Sequence, residues 1–220
     1  MAVAERLALI GDIHANAVAL RAVLDAIDAA GIRRGLCTGD LVMRGDKPDA
    51  CITAIRETGW PCVMGNTDHK VAERPGRDPD HPKSARVGSR PWTSNELSAR
   101  NLEYLAGLPF VVRVKLKGSV IVLMHGGPDD PRDAIDADTP EKDLSRLVSE
   151  LGSPDCVVSG HTHRALVRTA AKCMFVNPGS VGEAVEGDRR PRWAWLEARG
   201  SGLRAHLEVL PLDLATIRTP

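Results

Sequence analysis

The sequence lacks the features of a membrane or secreted protein. None of its apolar runs approaches the roughly 20 residues needed to span a bilayer. Near the N-terminus, Glu5 and Arg6 interrupt the apolar residues, and the run that follows, 7–10, is too short for the core of a signal peptide. We therefore expect a cytoplasmic protein without a membrane partner.

Paired cysteines are also missing. The five cysteines are scattered and odd in number, and no two of them form a C-x-x-C pair. This spacing excludes a cysteine zinc site and argues against a disulfide framework. Cys37, Cys62 and Cys156 lie in short apolar runs, where we expect buried thiols, and a reducing cytoplasm suits such a chain.

The chain has no excess of either charge. Its 29 Lys and Arg residues balance 29 Asp and Glu residues, so the formal net charge is zero. Since general nucleic-acid-binding proteins usually carry a strong basic excess, nucleic acid is a poor candidate partner. With 220 residues, 43% of them hydrophobic, and no internal repeat, the sequence predicts one globular domain over residues 1–220 and leaves its oligomeric state open.

The first half alternates short apolar runs with helical periodicity. Strands are predicted at 7–10, 35–38 and 61–64, and helices at 16–30, capped by Asn16, and 48–58. This order predicts parallel strands joined by crossover helices.

Residues 71–90 interrupt this alternation and are rich in proline, glycine and charge. They predict a loop, followed by a helix that Thr93 or Ser94 would cap, so a polar loop-and-helix excursion is expected at about 70–108. We interpret the basic residues of 72–90, which include Arg74 and Arg77, as a solvated face; the alternative is a lid that attracts an anionic substrate.

The second half is richer in strands. Alternating residues at 111–117 and an apolar run at 120–124 predict a hairpin, and 141–151 has helical spacing. Further strands are predicted at 156–159, 165–169 and 173–176, with a closing hairpin at 193–196 and 203–210.

Five apolar runs end on side chains that can bind metals, and in four of them a glycine immediately precedes the first such residue. The residues are Asp12, His14, Asp40, Asn66, His125, His161 and His163. Loops at the carboxyl ends of strands converge at a sheet edge, and glycine lets the backbone turn sharply and approach closely. Oxygen and imidazole ligands suit Mn, Fe, Zn, Co or Ni. Seven ligands are too many for one tetrahedral ion, but they suit two ions that share one carboxylate. Two ions roughly 3.5–4 Å apart can together stabilise an in-line displacement at phosphorus.

The five motifs, "GDIH", "GDLVMRG", "GNTDH", "HGG" and "GHTH", occur in an order that resembles the calcineurin-like metallophosphoesterase family, above all its small single-domain bacterial phosphodiesterases. The resemblance extends from Asp12 to His163, and "NPGSVG" at 177–182 also fits that branch. It implies an α/β fold, a four-layer α/β/β/α sandwich of two mixed β-sheets.

The resemblance also implies roles for the metal-binding residues. Asp12, His14 and His163 would hold the first ion, Asn66, His125 and His161 the second, and Asp40 would bridge both. Manganese is the first expectation, with Fe, Zn, Ni or Co as alternatives. A metal-bridging hydroxide would attack phosphorus without a covalent enzyme intermediate.

Other residues are assigned to catalysis or to the substrate. Asp40, Asn66, Asp68 and Arg44 are the candidate catalytic residues, and Asp68 would orient a ligand histidine. Arg44, Asn66 and His69 are the candidate contacts to a small phosphoester substrate.

The chain departs from the family pattern at two positions. Many members carry a histidine directly after the Asn of "GN", where it protonates the leaving group or steadies the phosphate; this chain has Thr67, and His69 is a candidate replacement. Arg44 is a residue typical of phosphoprotein phosphatases, and its guanidinium could bind a phosphate oxygen. A surface arginine in a turn is the alternative.

Three functions are therefore compared. The first is a two-metal phosphodiesterase, and the second is a phosphomonoesterase or protein phosphatase, which Arg44 favours. The third is a non-catalytic scaffold, as in a retromer subunit that resembles this family. That subunit has degraded metal positions, whereas all seven are intact in this chain.

Overall fold

The computed structural model describes residues 5–73, 80–183, 185, 188–200 and 202–214. These ranges contain nine strands and six helices. The strands are β1 (Glu5–Ile10), β2 (Gly35–Cys37), β3 (Val111–Leu116), β4 (Ser119–Met124), β5 (Cys156–Val158), β6 (Leu166–Ala170), β7 (Cys173–Asn177), β8 (Arg192–Arg199) and β9 (Gly202–Val209). The helices are α1 (Ala17–Ala29), α2 (Pro48–Thr58), α3 (Asn66–Ala72), α4 (Arg90–Glu96), α5 (Ala99–Ala106) and α6 (Glu141–Glu150).

The strands form two mixed sheets. The first has the order β2-β1-β8-β9, with β1 parallel to β2 and antiparallel to β8. The second has the order β3-β4-β5-β7-β6, with β4, β5 and β7 parallel and the two edge strands antiparallel to their neighbours. The closing hairpin is β8 with β9, as predicted.

Three hydrophobic cores separate four layers. The core between the two sheets includes Leu9, Leu36, Ile121, Val158 and Leu196. On the outer face of the first sheet, helices α1 and α2 bury a second core that includes Ile10, Leu20, Ile27, Ile52 and Ile55. On the outer face of the second sheet, α6 covers a third core that includes Val122, Leu144, Val148, Val157 and Phe175. The predicted α/β/β/α sandwich is confirmed.

Local sequence signals explain the ends of the first two helices. The Asn16 side chain accepts a hydrogen bond from the Ala19 amide and caps α1. Pro48 occupies the first turn of α2, where its missing N–H costs no hydrogen bond, and Gly59 ends that helix with φ +64°.

Two predicted elements differ from the structure. The run at 61–64 is not a strand, because only Cys62 pairs with β2, through one bridge to Cys37. The single helix expected after residue 93 is two helices, which Ser89 and Ser98 cap. Thr93 and Ser94 do not cap a helix, since both are buried within α4. Arg74 and Arg77 of the predicted basic excursion lie outside the described residues.

All five cysteines are buried free thiols. No helix in the described ranges combines the length and the apolar character that a membrane crossing requires.

Candidate metal centre

Four of the predicted ligands form a first cluster beyond the carboxyl ends of β1, β2 and β5. These are Asp12 and His14 after β1, Asp40 after β2 and His163 after β5, and one ligating atom from each lies within 4.8 Å of all the others. His14 Nε2 is 3.1 Å from His163 Nε2 and 3.6 Å from Asp40 Oδ2. Asp12 Oδ1 lies 3.4 Å from His163 Nε2. The structure therefore brings together the residues expected at the first ion.

A second cluster forms beside the first. Asn66 Oδ1 is 3.1 Å from His125 Nε2 and 2.9 Å from His161 Nδ1. The other Asp40 oxygen, Oδ1, lies 3.5 Å from His125 Nε2. One oxygen of Asp40 thus faces each cluster, which is the arrangement that a carboxylate shared by two ions requires.

Five of the seven candidate ligands also form the turns of their loops, because their own backbone is left-handed. Asp12, His14, Asp40, His161 and His163 all have φ between +49° and +67°, in the left-handed region. That region costs an ordinary residue about 1–2 kcal/mol, although Asp and His are enriched there. Backbone strain of this kind is characteristic of functional sites.

Close approach is the main role of the glycines that precede Asp12 and Asn66, since neither has a positive φ, whereas Gly39 before Asp40 has φ +90° and also makes a turn. A Cβ on Gly11 would lie 1.7 Å from Thr38 Oγ1, and a Cβ on Gly65 would lie 2.2 Å from Asp40 Oδ1. Any larger residue at either position would push the loops of the two clusters apart.

The residues present fit divalent metal ions. Both carboxylate oxygens of Asp12 are buried, and neither has a hydrogen-bond partner among the described residues. A buried carboxylate without donors is costly unless a cation compensates it. His125 Nδ1 lies 2.7 Å from the Thr38 carbonyl oxygen, which can only accept, so Nδ1 donates and Nε2 presents its lone pair to the second cluster.

The charges of the centre also favour cations. Burial lowers the pKa of His14 to about 4, which keeps its imidazole neutral and able to act as a ligand. Burial opposes protonation of His125 as well, but the charges of Asp40 and Asp12 raise its pKa. Burial and the charge of Asp40 raise the pKa of Asp68 to about 7. The carboxylates of this region therefore lie close enough together to repel one another.

Asp68 and Thr67 form hydrogen bonds to the loops around the centre, and neither contacts a candidate ligand histidine. The Asp68 carboxylate accepts hydrogen bonds from the amides of Leu41, at 2.8 Å, and Gly65, at 3.0 Å, instead of contacting the histidine that we expected it to orient. Thr67 donates its amide to Asp40 Oδ1 at 2.8 Å and its hydroxyl to the Val42 carbonyl at 3.0 Å. These bonds fix the Asp40 loop against the first turn of α3.

Arg44 and His69 lie outside the two clusters. The His69 ring packs edge-on against Phe110, and its Nε2 lies 3.5 Å from a Glu73 carboxylate oxygen, which turns the ring towards these neighbours. Arg44 is 48% exposed and forms an ion pair with Glu183. The substrate roles of His69 and Arg44 remain predictions.

Glu183 is a residue that the sequence analysis did not identify. Its Oε2 lies 3.4 Å from His14 Nε2 and 3.3 Å from His163 Nδ1. It follows directly after the segment 177–182, in which Ser180 Oγ donates to the Asp12 carbonyl at 2.8 Å. Its position directly after "NPGSVG" is the one sequence feature that could have indicated a place near the site. Glu183 lies in none of the five metal-binding motifs.

A cavity of about 410 Å³ opens beside the first cluster. Its walls include Arg44, Asp46, Val87 and Glu183, together with His14 of the cluster. The cavity is large enough to hold a small ligand next to the first metal position.

The chain is similar to known proteins over most of its length. A sequence model described as the calcineurin-like phosphoesterase superfamily domain matches residues 6–200. The uncharacterized protein MJ0912 of Methanocaldococcus jannaschii is 29% identical over 197 residues, which are 82% of this chain and 78% of that protein.

Two solved structures share the fold. A metallophosphoesterase from Sphaerobacter thermophilus aligns with a TM-score of 0.75 and 24% identity, covering 97% of this chain and 91% of that one. The hypothetical protein PH1004 of Pyrococcus horikoshii OT3 aligns with a TM-score of 0.81 and 20% identity, covering 94% and 88%. At these identities the likeness demonstrates the fold alone.

Proposed function

Since the chain belongs to the calcineurin-like phosphoesterase superfamily, we propose that it is a phosphodiesterase that depends on two divalent metal ions. The observation that carries this proposal is the position of Asp40, whose two carboxylate oxygens face two separate groups of ligand side chains. A single structural ion would not require ligands on both sides of one carboxylate.

The first ion would be held by Asp12, His14, Asp40 and His163. The second would be held by Asp40, Asn66, His125 and His161. Bound there, two ions of Mn, or of Fe, Zn, Ni or Co, supply a nucleophile derived from water and offset charge on the phosphoryl oxygens.

The protein's own residues position these groups and orient the substrate. Thr67 and Asp68 fix the Asp40 loop through three hydrogen bonds, two from Thr67 and one from the Leu41 amide to Asp68. Asn66 would contact a phosphoryl oxygen from the second cluster, whereas Arg44 at the cavity wall is paired with Glu183. Ser180 is not a candidate nucleophile, because its hydroxyl donates to the Asp12 carbonyl.

Leaving-group protonation separates this chain from family members that carry a histidine at position 67. The Thr67 hydroxyl is buried and donates to the Val42 carbonyl, so it has no proton to offer a leaving group. Esters with acidic leaving groups, which depart without a proton, are therefore the preferred test substrates.

The cavity supports a diester as the substrate class. A phosphodiester carries a second organic arm, and the cavity of about 410 Å³ offers room for it beside the first cluster. The free thiols of all five cysteines support a reducing cytoplasmic location.

Arg44 favours a second candidate function, a phosphomonoesterase or protein phosphatase on the same centre. Its guanidinium lies at the cavity wall, where it would bind the extra anionic oxygen of a monoester. A scaffold without catalysis receives less support, since all seven positions hold residues that can bind metal and lie together in two clusters.

The decisive experiment is hydrolysis of bis-p-nitrophenyl phosphate by the manganese-loaded protein. We expect turnover, and we expect Asp40→Asn to lower it by more than about 100-fold because both clusters lose a charged ligand. Asp25→Asn, at an exposed site on α1, is the matched control and should behave as the wild type. A protein that holds two ions per chain and turns over no activated ester would contradict the proposal.

A further inference from the structure

We propose that Glu183 is a specificity-determining residue: by pairing with Arg44 it makes the centre favour phosphodiesters, which carry one negative charge, over phosphomonoesters, which carry two. The inference rests on the phosphoesterase function proposed above. It assigns the choice between the two substrate classes to one ion pair at the cavity wall.

The pair lies directly beside the first cluster. Arg44 Nη1 contacts Glu183 Oε2, and the same oxygen is 3.4 Å from His14 Nε2 and 3.3 Å from His163 Nδ1. A carboxylate oxygen thus occupies the space between the guanidinium and the first metal position. This is the space that an additional anionic phosphoryl oxygen would need in order to reach Arg44.

Both partners are fixed to the loop that carries Asp12 and His14. The Arg44 amide donates to the Gly88 carbonyl at 2.8 Å, and the next amide, of Gly45, donates to the His14 carbonyl at 2.9 Å. On the other side, the Glu183 amide donates to Ser180 Oγ at 2.9 Å. Because the backbone of both residues is held, the two side chains start from fixed positions on facing parts of the cavity wall.

The cavity walls contain more negative than positive charge. Among the described residues that line the cavity, the single cation is Arg44, which faces two carboxylates, Glu183 and Asp46. The excess charge near the first cluster is therefore negative, apart from any bound ions. With ions bound, the two carboxylates of the wall offset part of the attraction that the ions exert on a phosphate ester, and this loss is larger for a dianion than for a monoanion.

Phosphomonoesters and phosphodiesters differ in the charge that they would bring to this cavity wall. At neutral pH a phosphomonoester carries a charge of about −1.5 to −2, because its second pKa is about 6. In a diester a neutral organic arm replaces that extra oxygen. The cavity offers such an arm the apolar side chain of Val87 instead of a free cation.

The ion pair has little value for stability alone. The side chains of Arg44 and Glu183 are 48% and 31% exposed, and exposed pairs contribute little to folding. A half-exposed pair beside a metal centre is better explained by its effect on the ligand than by its effect on the fold.

The test compares kcat/KM for p-nitrophenyl phosphate and bis-p-nitrophenyl phosphate in the manganese-loaded wild type and in Glu183→Gln. Removing the carboxylate charge frees Arg44, so we expect the ratio of monoester to diester activity to rise roughly tenfold, the effect typical of one charge-assisted hydrogen bond. Adding Arg44→Ala to Glu183→Gln should abolish this rise. Glu150→Gln, in the exposed Arg146–Glu150 pair on α6, is the control and should leave the ratio unchanged.

A second readout does not depend on turnover. Titration calorimetry with inorganic phosphate at pH 8, where phosphate is a dianion, should show roughly tenfold tighter binding to Glu183→Gln than to the wild type. Metal analysis of both proteins should show the same two ions per chain. If Glu183→Gln loses an ion, Glu183 is a metal ligand and the inference is wrong.

The remaining outcomes separate this inference from the proposed function. A wild type that hydrolyses esters, with an unchanged ratio and unchanged phosphate affinity in Glu183→Gln, would overturn the inference and leave the function standing. A wild type that hydrolyses neither ester would overturn the function. In that case the phosphate titration alone supports or rejects the role of Glu183.

Discussion

The candidate ligand residues carry two energetic costs, the burial of charge and backbone strain. Asp12 and Asp40 are buried carboxylates, and both have a left-handed backbone conformation, as do His161 and His163. A residue selected only for stability at such a position would be glycine. The strain therefore indicates that the side chains are kept for what they bind.

This strain predicts an unusual order of stabilities at His161, where φ is +67°. In the metal-free protein, His161→Gly should be more stable than His161→Ala by about 1 kcal/mol, because alanine keeps the left-handed strain and glycine relieves it. Urea unfolding in the presence of a chelator measures the difference.

Thr162 provides the matched control for that prediction. It neighbours His161 but is not among the residues with positive φ. There the order should reverse, with Thr162→Ala more stable than Thr162→Gly, since glycine only adds freedom to the unfolded chain. Equal stability of the two His161 variants would show that no strain is stored at this ligand.

Motif spacing was sufficient to predict that seven candidate ligands lie close together, but not which other residues contact them. His125 and His161 follow strand ends and could be assigned from the chain alone. Glu183 could not, because its proximity to His14 arises from the folding of 177–182 against the Asp12 loop. Asp68 accepts a hydrogen bond from the Leu41 amide rather than contacting a histidine, and this bond depends on how two loops meet.

Among the elements, the attachment of α5 to α2 explains an error of the sequence analysis. The apolar spacing of 97–108 allows one continuous helix, but the Ser98 amide and hydroxyl both donate to Asp49 Oδ1, at 2.7 and 2.8 Å. Asn101 donates to the same oxygen at 2.8 Å. These tertiary bonds separate α4 from α5, and the local sequence does not predict them. The hairpin of β3 and β4, by contrast, was predictable because its alternating residues and its turn are local.

The Asp49 bonds predict a pH-dependent contribution to stability. Partial burial opposes ionisation, but the bonds from Ser98 and Asn101 lower the pKa of Asp49 below its ordinary value of 3.8. Since a lowered carboxyl pKa stabilises the fold above the unfolded-state value, the contribution is complete at neutral pH and is lost as the pH falls below 3.8. Asp49→Asn should therefore cost about 1 kcal/mol at pH 7 and less in acid. Urea unfolding of both proteins from pH 7 to pH 3 tests this, and a difference that does not change with pH would exclude the ionised Asp49 as its source.

Across the whole molecule, the centre joins loops from both sheets. Its ligands extend from Asp12 to His163, so the unfolded chain cannot present them together. Ions that bind only the native state stabilise it by about 2.7 kcal/mol when present at 100 times their dissociation constant. The order of the motifs was enough to predict the fold. The position of β1 between β2 and β8 could not be predicted, because it depends on contacts between distant parts of the chain.

Manganese should therefore raise the melting temperature of the wild type, by roughly 5–10 °C for a chain of this size. Calorimetry after chelation and reloading measures the shift. Asp40→Asn should show a much smaller shift, and calcium, which prefers ligand sets made of oxygen alone, should have little effect on the wild type. An equal shift with calcium would argue against the imidazole ligands.

The pairing of β1 with β8 has a consequence for the newly made protein. The strand that delivers Asp12 and His14 is synthesised well before its neighbour β8, which lies at residues 192–199. The first sheet therefore remains open along one side of β1 until β8 has been translated. We therefore expect the candidate metal centre to become complete only after β8 has been made, and until then the open side of β1 is exposed to pairing with other chains.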